Sequence, residues 1–177
     1  MVEDVERWSV RRLDRGTDVV DMDCGDEPWG QSVTDFLVDD ALEQQEWLGS
    51  KTTLFYHNAG LVGYVTLAAS VLEVGQAQEV ARQPGIAEIG RDLIPSVLIA
   101  RFGVHKDHQR KGYGRRIFDW ALAEVIQSSV GARLLILHVD RENRGGREFW
   151  KSCGFRSGGG TSNILMWLDL YPFVADD

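Results

Sequence analysis

Apolar and polar residues change their period several times along this chain, and each change marks an element. Arg7 to Leu13 alternates, as a strand with one buried face does. Asp18 to Gly30 is rich in Asp, Gly and Pro and reads as a loop. Ser32-x-x-Asp35 has the form of a capping box, and Phe36, Leu37, Ala41 and Leu48 then fall on one helical face. Thr52 to Tyr56 and Leu61 to Leu72 read as strands joined by a turn at Asn58-Ala59-Gly60. Glu73 to Pro95 is long for a loop, with a short helix over Gln76 to Arg82 and a break at Pro84-Gly85, and is read as a substrate-side flap. Val97 to Val104 is an apolar strand, Arg115 to Ser129 an amphipathic helix, and Leu134 to Val139 a second buried strand. Glu142 to Cys153 is a short helix stopped by Gly154. Asn163 to Leu170 is expected to close the sheet, after a flexible turn at Gly158-Gly159-Gly160.

One junction in this pattern carries chemistry. Gln109-Arg110-Lys111-Gly112-Tyr113-Gly114 lies between the Val97 strand and the Arg115 helix. A glycine turn feeding a helix N-terminus aims free N–H groups and the positive end of the helix dipole at one point, where a phosphate fits. Glycine lets the backbone approach that anion without an intervening Cβ. Arg110, Lys111, Arg115 and Arg116 add positive charge, although Arg115 and Arg116 also read as solvated surface charge. The turn is no Walker A loop, because Lys-Ser/Thr does not follow the second glycine. It is a poor dinucleotide fingerprint, because the third glycine is missing.

The turn resembles the acetyl-CoA signature of the GNAT acetyltransferases, Gln/Arg-x-x-Gly-x-Gly/Ala. Asn143, then Phe149-Trp150, then Gly154-Phe155 is similar to a second pattern of that family, Asn…Phe-Tyr-x-x-x-Gly-Phe, in order and spacing. The resemblance covers most of the chain and is strongest from Pro95 to Phe155. It implies an α/β fold over residues 1–177 as one domain. The implied GNAT fold is a mixed, twisted sheet of six to seven strands with about four helices, its fourth and fifth strands splayed. It also implies that acetyl-CoA is the cosubstrate, with pantetheine standing in for a missing strand. Phe102, Gly103 and Val104 would then offer backbone bonds to pantetheine, and Gln109, Arg110, Lys111, Gly112, Tyr113, Gly114 and Arg115 would hold the pyrophosphate. Asn143 is expected as a side-chain contact or as a helix N-cap, two roles that are compatible. Phe149 and Trp150 would line the channel.

Trp150 stands where the family commonly has the Tyr that protonates the leaving thiolate. An indole N–H is a donor and no usable acid, so Trp150 reads foremost as an apolar wall. Other acid or base candidates are His105 beside the strand end, His138 inside an apolar strand as a core residue, Glu79 and Glu88 in the flap, Tyr64, Tyr113 and Cys153. None carries a partner pattern that assigns catalysis, and positioning alone with water as proton acceptor is a workable mechanism.

Composition narrows the reading. The 177 residues are 44% hydrophobic, enough for a sizeable core without metals or staples. There is no apolar run of membrane-spanning length, and Met1-Val2-Glu3-Asp4 does not read as a secretory signal. Cys24 and Cys153 form no CxxC pair, which fits a reducing cytoplasm, and no metal-ligand spacing is present. The net charge of −8 disfavours nucleic acid. The Gln31 to Ser50 segment holds Asp35, Asp39, Asp40, Glu43 and Glu46 with no Lys or Arg. The flap adds Glu73, Glu79, Glu88 and Asp92 against Arg82 and Arg91.

A closer resemblance runs through Asp23-Cys24-Gly25, Asp35-Phe36-Leu37, Ala41, Gln45, Ile94-Pro95 and Leu98-Ile99-Ala100-Arg101-Phe102. These residues are similar to the acetyltransferase toxins of toxin–antitoxin operons, which acetylate aminoacyl-tRNA. The expected activity is acetyl transfer to a small or cationic amine. The alternatives are a toxin-type aminoacyl-tRNA acetyltransferase, with an antitoxin partner, and an inactive acyl-CoA-binding module. A homodimer stays open.

Overall fold

The computed structural model describes residues 8–89 and 92–174. Arg7, the expected start of the first strand, the Met1 to Asp4 segment and Arg91 of the flap lie outside them. Seven strands form one sheet in the order β1-β2-β3-β4-β5-β7-β6. They are β1 (Trp8–Arg12), β2 (Lys51–His57), β3 (Gly60–Glu73), β4 (Leu93–Val104), β5 (Leu134–Asp140), β6 (Arg156–Ser157) and β7 (Asn163–Asp169). The helices are α1 (Pro28–Asp35), α2 (Ala41–Glu46), α3 (Ile86–Ile89), α4 (Tyr113–Ile126) and α5 (Arg144–Ser152). The chain divides into two compact units, residues 1–67 with 100–120 and residues 68–99 with 121–177.

In the first unit, β2 and β3 form the expected hairpin. His57 pairs with Gly60, so Asn58 and Ala59 are a two-residue loop, and both take positive φ, 48° and 67°. That is the backbone a tight hairpin with right-twisted strands requires. The helical segment starts at Pro28, four residues before Ser32, so the expected cap at Ser32 is corrected. Proline has its φ preset and its missing N–H costs nothing at a helix start, which fixes the boundary there. A π-type segment over Phe36–Asp40 then joins α1 to α2. Phe36, Leu37 and Ala41 pack with Leu13, Met22, Leu54 and Tyr64, as the helical face predicts. Leu48 departs from that face. It is 86% exposed with φ 61°, because α2 has ended and the left-handed terminal residue turns outward.

In the second unit, Leu72, Ala77, Val80, Ile86, Ile94, Leu134, Ile136, Leu165 and Trp167 make the core. Four of these, Ala77, Val80, Ile86 and Ile94, belong to the expected flap, so it is a packed cover and not an open loop. The single helix expected over Gln76 to Arg82 is two 3₁₀ turns, Val74–Gln76 and Val80–Arg82, followed by α3. The Val74 N–H donates to Asp92 O at 2.9 Å and closes its base. β4 begins four residues before Val97, and the Arg133 N–H donates to Pro95 O at 2.8 Å. Its parallel register with β5 runs Ser96↔Leu134 to Leu98↔Ile136. Asn163 to Leu170 does not close the sheet. β7 lies between β5 and the short β6, because the glycine turn folds it back antiparallel to both. Arg133 and Asp169 form a bidentate pair at 2.7 and 2.9 Å, each side chain 10% exposed, and Arg133 Nη2 also donates to Pro84 O.

Candidate active site

The turn from Gln109 to Gly114 is built entirely in the first unit. β4 ends at Val104, and a 3₁₀ turn over Lys106–His108 follows, capped by His105, whose Nδ1 accepts from the Asp107 N–H at 3.2 Å. Lys106 ties this turn to the Asp23 loop twice. Its N–H donates to Asp23 O at 2.7 Å and its Nζ lies 2.6 Å from Asp23 Oδ2. The hydrogen bond from Lys106, then the Gly25 N–H, hold the Asp23 carboxyl below the usual carboxylate range. Gln109 is a clamp. Its Nε2 donates to Cys24 O at 2.9 Å and to Val104 O at 3.0 Å, and its backbone N–H donates to His105 O. Gln109 and the Val104 carbonyl therefore shape the turn, and both N–H donors of the Gln109 side-chain amide are in use.

The chain then takes positive φ at Arg110, 62°, and Gly112, 87°, and α4 begins at Tyr113. The Arg116 N–H donates to Gly112 O at 3.2 Å, so the N–H groups of Gly112, Tyr113 and Gly114 precede the helical ladder. A Cβ built on Gly112 meets nothing within 4 Å, so the space above the turn is open. Of the four cations, Arg115 pairs with Asp119 at 2.8 Å and Arg116 lies 4.4 Å from the Trp8 ring. Lys111 Nζ donates to Asp107 O at 2.6 Å, and Arg110 is exposed. Burial, then the charges of His105 and Lys111, push the His108 imidazole below its ordinary value.

The strand leading into the turn is closely backed. A Cβ on Gly103 would lie 2.7 Å from Tyr64 Cε1 and 2.8 Å from both Cys24 Sγ and Val33 Cγ1. A Cβ on Gly63 would lie 2.5 Å from Gly103 O. Both glycines are required by close approach and not by backbone angle. Phe102 is half-buried beside them. Tyr64 is fully buried and its hydroxyl donates to Val33 O, so burial raises its phenol far above the ordinary value and removes it as an acid or base. Burial pushes the Cys24 thiol up to about 11. His105 is occupied as a cap.

The second unit holds the other pattern. Asn143 Oδ1 accepts from the Gly146 N–H at 2.7 Å, so Asn143 caps α5 as one of its two expected roles states. Gly154, at φ 95°, ends that helix. Trp150 is 6% exposed and packs edge-on to Phe149 at 4.8 Å and Phe155 at 5.3 Å. His138, expected in the core, is exposed, because the alternation of β5 turns it outward. Glu79 and Glu88 are exposed on the flap, and Cys153 is buried. Neither cysteine is in a disulfide. Among the described residues no group of His, Cys, Asp or Glu is placed to hold a metal ion, and no helix is long and apolar enough to cross a membrane.

Two features were outside the reach of sequence reasoning. The hydroxyl of Tyr113 lies 2.9 Å from His57 Nδ1, linking the turn to a residue 56 positions away. The double role of Gln109 depends on a loop 85 positions away.

Several solved structures share the fold. AtaT in complex with acetyl-methionyl-tRNAfMet has a TM-score of 0.78 at 21% identity, over 94% of this chain and 97% of that one. A Tyr-to-Phe mutant of KacT has a TM-score of 0.79 at 19% identity, over 96% and 99%. AtaTR bound with AcCoA has a TM-score of 0.71 at 22% identity, over 93% and 94%. At such identities the likeness is one of fold. No curated protein matches the sequence. The sequence of residues 20–155 matches the acetyltransferase (GNAT) family, spanning the turn and the Asn143 to Phe155 pattern, and the chain belongs to that family.

Proposed function

We propose that this chain moves the acetyl group of acetyl-CoA to a primary amine, with a small cationic acceptor as the first expectation. The observation that carries the donor assignment is the turn from Gln109 to Gly114. It offers N–H groups ahead of the α4 ladder, an open approach over Gly112, and an exposed Arg110. Residues present fit a pyrophosphate there by backbone donors and helix dipole. The donor supplies an activated thioester. Phe102, Gly103 and Val104 of β4 are the backbone the acyl arm would follow, and the family pattern makes Asn143, Phe149 and Trp150 expected donor contacts as well. The activity rests on residues 1–177 as one acetyltransferase domain, a reading supported by a family match that reaches into both units. Two cysteines outside any disulfide support a cytoplasmic setting.

The chain's side chains contribute position more than proton transfer. Trp150 holds an indole against Phe149 and Phe155 and cannot supply a proton to a thiolate. Tyr64 is sealed, and His105 is a cap. Solvent is left to take the ammonium proton and to meet the departing sulfur. The exposed acids Asp35, Asp39, Asp40 and Glu43, without a Lys or Arg in their segment, support a cationic acceptor.

One observation favours a second reading, transfer to aminoacyl-tRNA with an antitoxin partner. The fold likeness to AtaT and KacT spans nearly the whole of both chains. The residues of the toxin-like pattern at Asp23 and Cys24 also hold the turn in place here. Radiolabelled acetyl-CoA offered with spermidine, with an α-amino amide and with charged tRNA separates the readings. Label in spermidine supports the first, and label in tRNA alone reverses the order. No label in any acceptor, with acetyl-CoA bound, leaves the acyl-CoA-binding module.

A further inference from the structure

The phosphate turn places two residues in the left-handed region within three positions, Arg110 and Gly112. A non-glycine residue there is unfavourable in isolation, so the surrounding structure must hold the turn in shape. On the upstream side Gln109 does so through Cys24 O and Val104 O. On the downstream side the grip comes from Tyr113, the first residue of α4. Its hydroxyl lies 2.9 Å from Nδ1 of His57, the last residue of β2. Its ring stacks on Trp8 of β1 at 6.0 Å and 6°. Arg116, one turn along α4, lies over that same indole at 4.4 Å, and His108 meets the Tyr113 ring edge-on at 5.4 Å. The side chain of Tyr113 thus ties the start of α4 to two strands, while its own N–H belongs to the donor set at the helix start.

We propose that Tyr113 is a positioning residue that, through its hydroxyl contact with His57, holds the N–H groups of residues 112–114 in the geometry that binds the pyrophosphate. The proposal rests on the donor assignment above. A bond between the ends of two elements restricts the free turn before any ligand arrives, so the cost of ordering it is not charged against affinity. The Trp8 face and the His108 edge set the ring, and the hydroxyl sets its rotation. The phenol acts through backbone it positions, so its loss shows in donor affinity and not in the chemical step.

The test uses the full chain and acetyl-CoA. Calorimetry, steady-state kinetics and hydrogen exchange of the 109–116 backbone are measured for wild type, Tyr113→Phe, His57→Ala and the double variant. Tyr113→Phe keeps the stack and removes the hydroxyl. Its expected Kd and KM for acetyl-CoA rise about threefold to tenfold, the span that one hydrogen bond supports, with kcat at saturating donor within about twofold. The 109–116 amides exchange faster. His57→Ala gives a similar loss, and the double variant loses no more than the larger single one, since both remove the same contact. An unchanged Kd in Tyr113→Phe overturns the proposal, whatever happens to its melting temperature. Additive losses in the double variant overturn the His57 link. If the wild type binds no acetyl-CoA, the donor assignment falls by itself, and faster exchange in Tyr113→Phe still decides the anchoring role.

Discussion

Gly112→Asp tests the donor site with two separable readouts, folding and affinity. Gly112 has φ 87°, and a Cβ placed there meets nothing within 4 Å. The protein alone therefore imposes no clash, and the folding cost is the left-handed backbone, about 1–2 kcal/mol for an ordinary L-residue and less for Asp. At this chain length that lowers the melting temperature by roughly 2–4 °C per kcal/mol. Affinity is expected to fall much further. A carboxylate about 4 Å from one pyrophosphate charge is opposed by roughly 4 kcal/mol at an effective dielectric constant of 20, close to three decades in Kd. Gly112→Ala carries the full backbone strain and a Cβ without the charge, so its loss should be about tenfold. Calorimetry of acetyl-CoA binding, on variants whose melting curves confirm folding, gives the two numbers. A folded Gly112→Asp variant with affinity within about twofold of wild type refutes the assignment of pyrophosphate to this turn.

The remaining expectations concern the acyl arm, the ion pair and the strand behind the site. Trp150→Phe should keep most activity, Trp150→Ala should weaken acetyl-CoA binding by lost packing, and Trp150→Tyr should raise kcat if leaving-group protonation limits the rate; stopped assays with a labelled amine read all three. Asp169→Asn breaks a pair whose side chains are each 10% exposed, and should cost about 3 kcal/mol in urea melts at neutral pH. Burial pushes the Asp169 carboxyl up, but the Arg133 hydrogen bond, the Tyr171 N–H and the Arg133 charge outweigh it and leave it below its ordinary value. The unfolded chain then holds the extra proton, so this stabilisation is present above the ordinary carboxylate range of about 3.9 and is lost as pH falls through the lower folded value. Wild type and Asp169→Asn should converge in stability only in that acid window, and parallel pH profiles would count against the pair. Gly63→Ala places a Cβ 2.5 Å from Gly103 O, so it should lower both melting temperature and acetyl-CoA affinity; loss of neither would contradict the close approach of the two strands.

The local parts of the site were legible in the sequence, and the long-range parts were not. The Asn58-Ala59 hairpin, the turn before α4 and the Gly154 stop each depend on left-handed backbone for which Asn58, Gly112 and Gly154 are the favourable residues, although Ala59 and Arg110 also take it. Pattern reading found them for that reason. Ser32 was misread because a capping box and a proline start compete within four residues, and Pro28 sets the earlier boundary. Leu48 was misread because periodicity does not see a left-handed helix end, where Gly49 would be the expected residue and Leu48 takes the angle. His138 was misread because the run from Leu134 to Val139 does not reveal where covering of both faces stops: Leu134 to Leu137 are all buried, and exposure begins at His138. The Gln109 clamp and the Tyr113–His57 contact are set by which loops come together, and no spacing in the sequence encodes them.

The donor and acceptor sides of this chain rest on different kinds of structure, and that difference decides what family membership can say. Donor recognition uses backbone N–H groups, a helix start and glycines that a Cβ would displace. Those features belong to the backbone, and the fold that sets the backbone is shared with KacT at 19% identity. Acceptor choice uses surface charge, which sequence drift alters without touching the core. The two acidic segments of this chain are net negative, with five acids and no Lys or Arg over Gln31 to Ser50 and four acids against two Arg over Glu73 to Pro95. A polyanionic acceptor needs several cationic contacts, and its binding then weakens steeply with salt. Beside the turn, Arg115 is paired with Asp119 and Lys106 with Asp23, so these two cations already have carboxylate partners. The carboxylates of the acidic segments attract a polyamine or a basic peptide, and such attraction also falls with salt. Salt dependence alone therefore does not separate the two acceptors, whereas its sign under charge reversal does. Replacing Asp39 and Asp40 with Lys should weaken turnover of a cationic amine and strengthen any binding of tRNA. No change in either would mean that the acidic surface plays no part in selecting the acceptor.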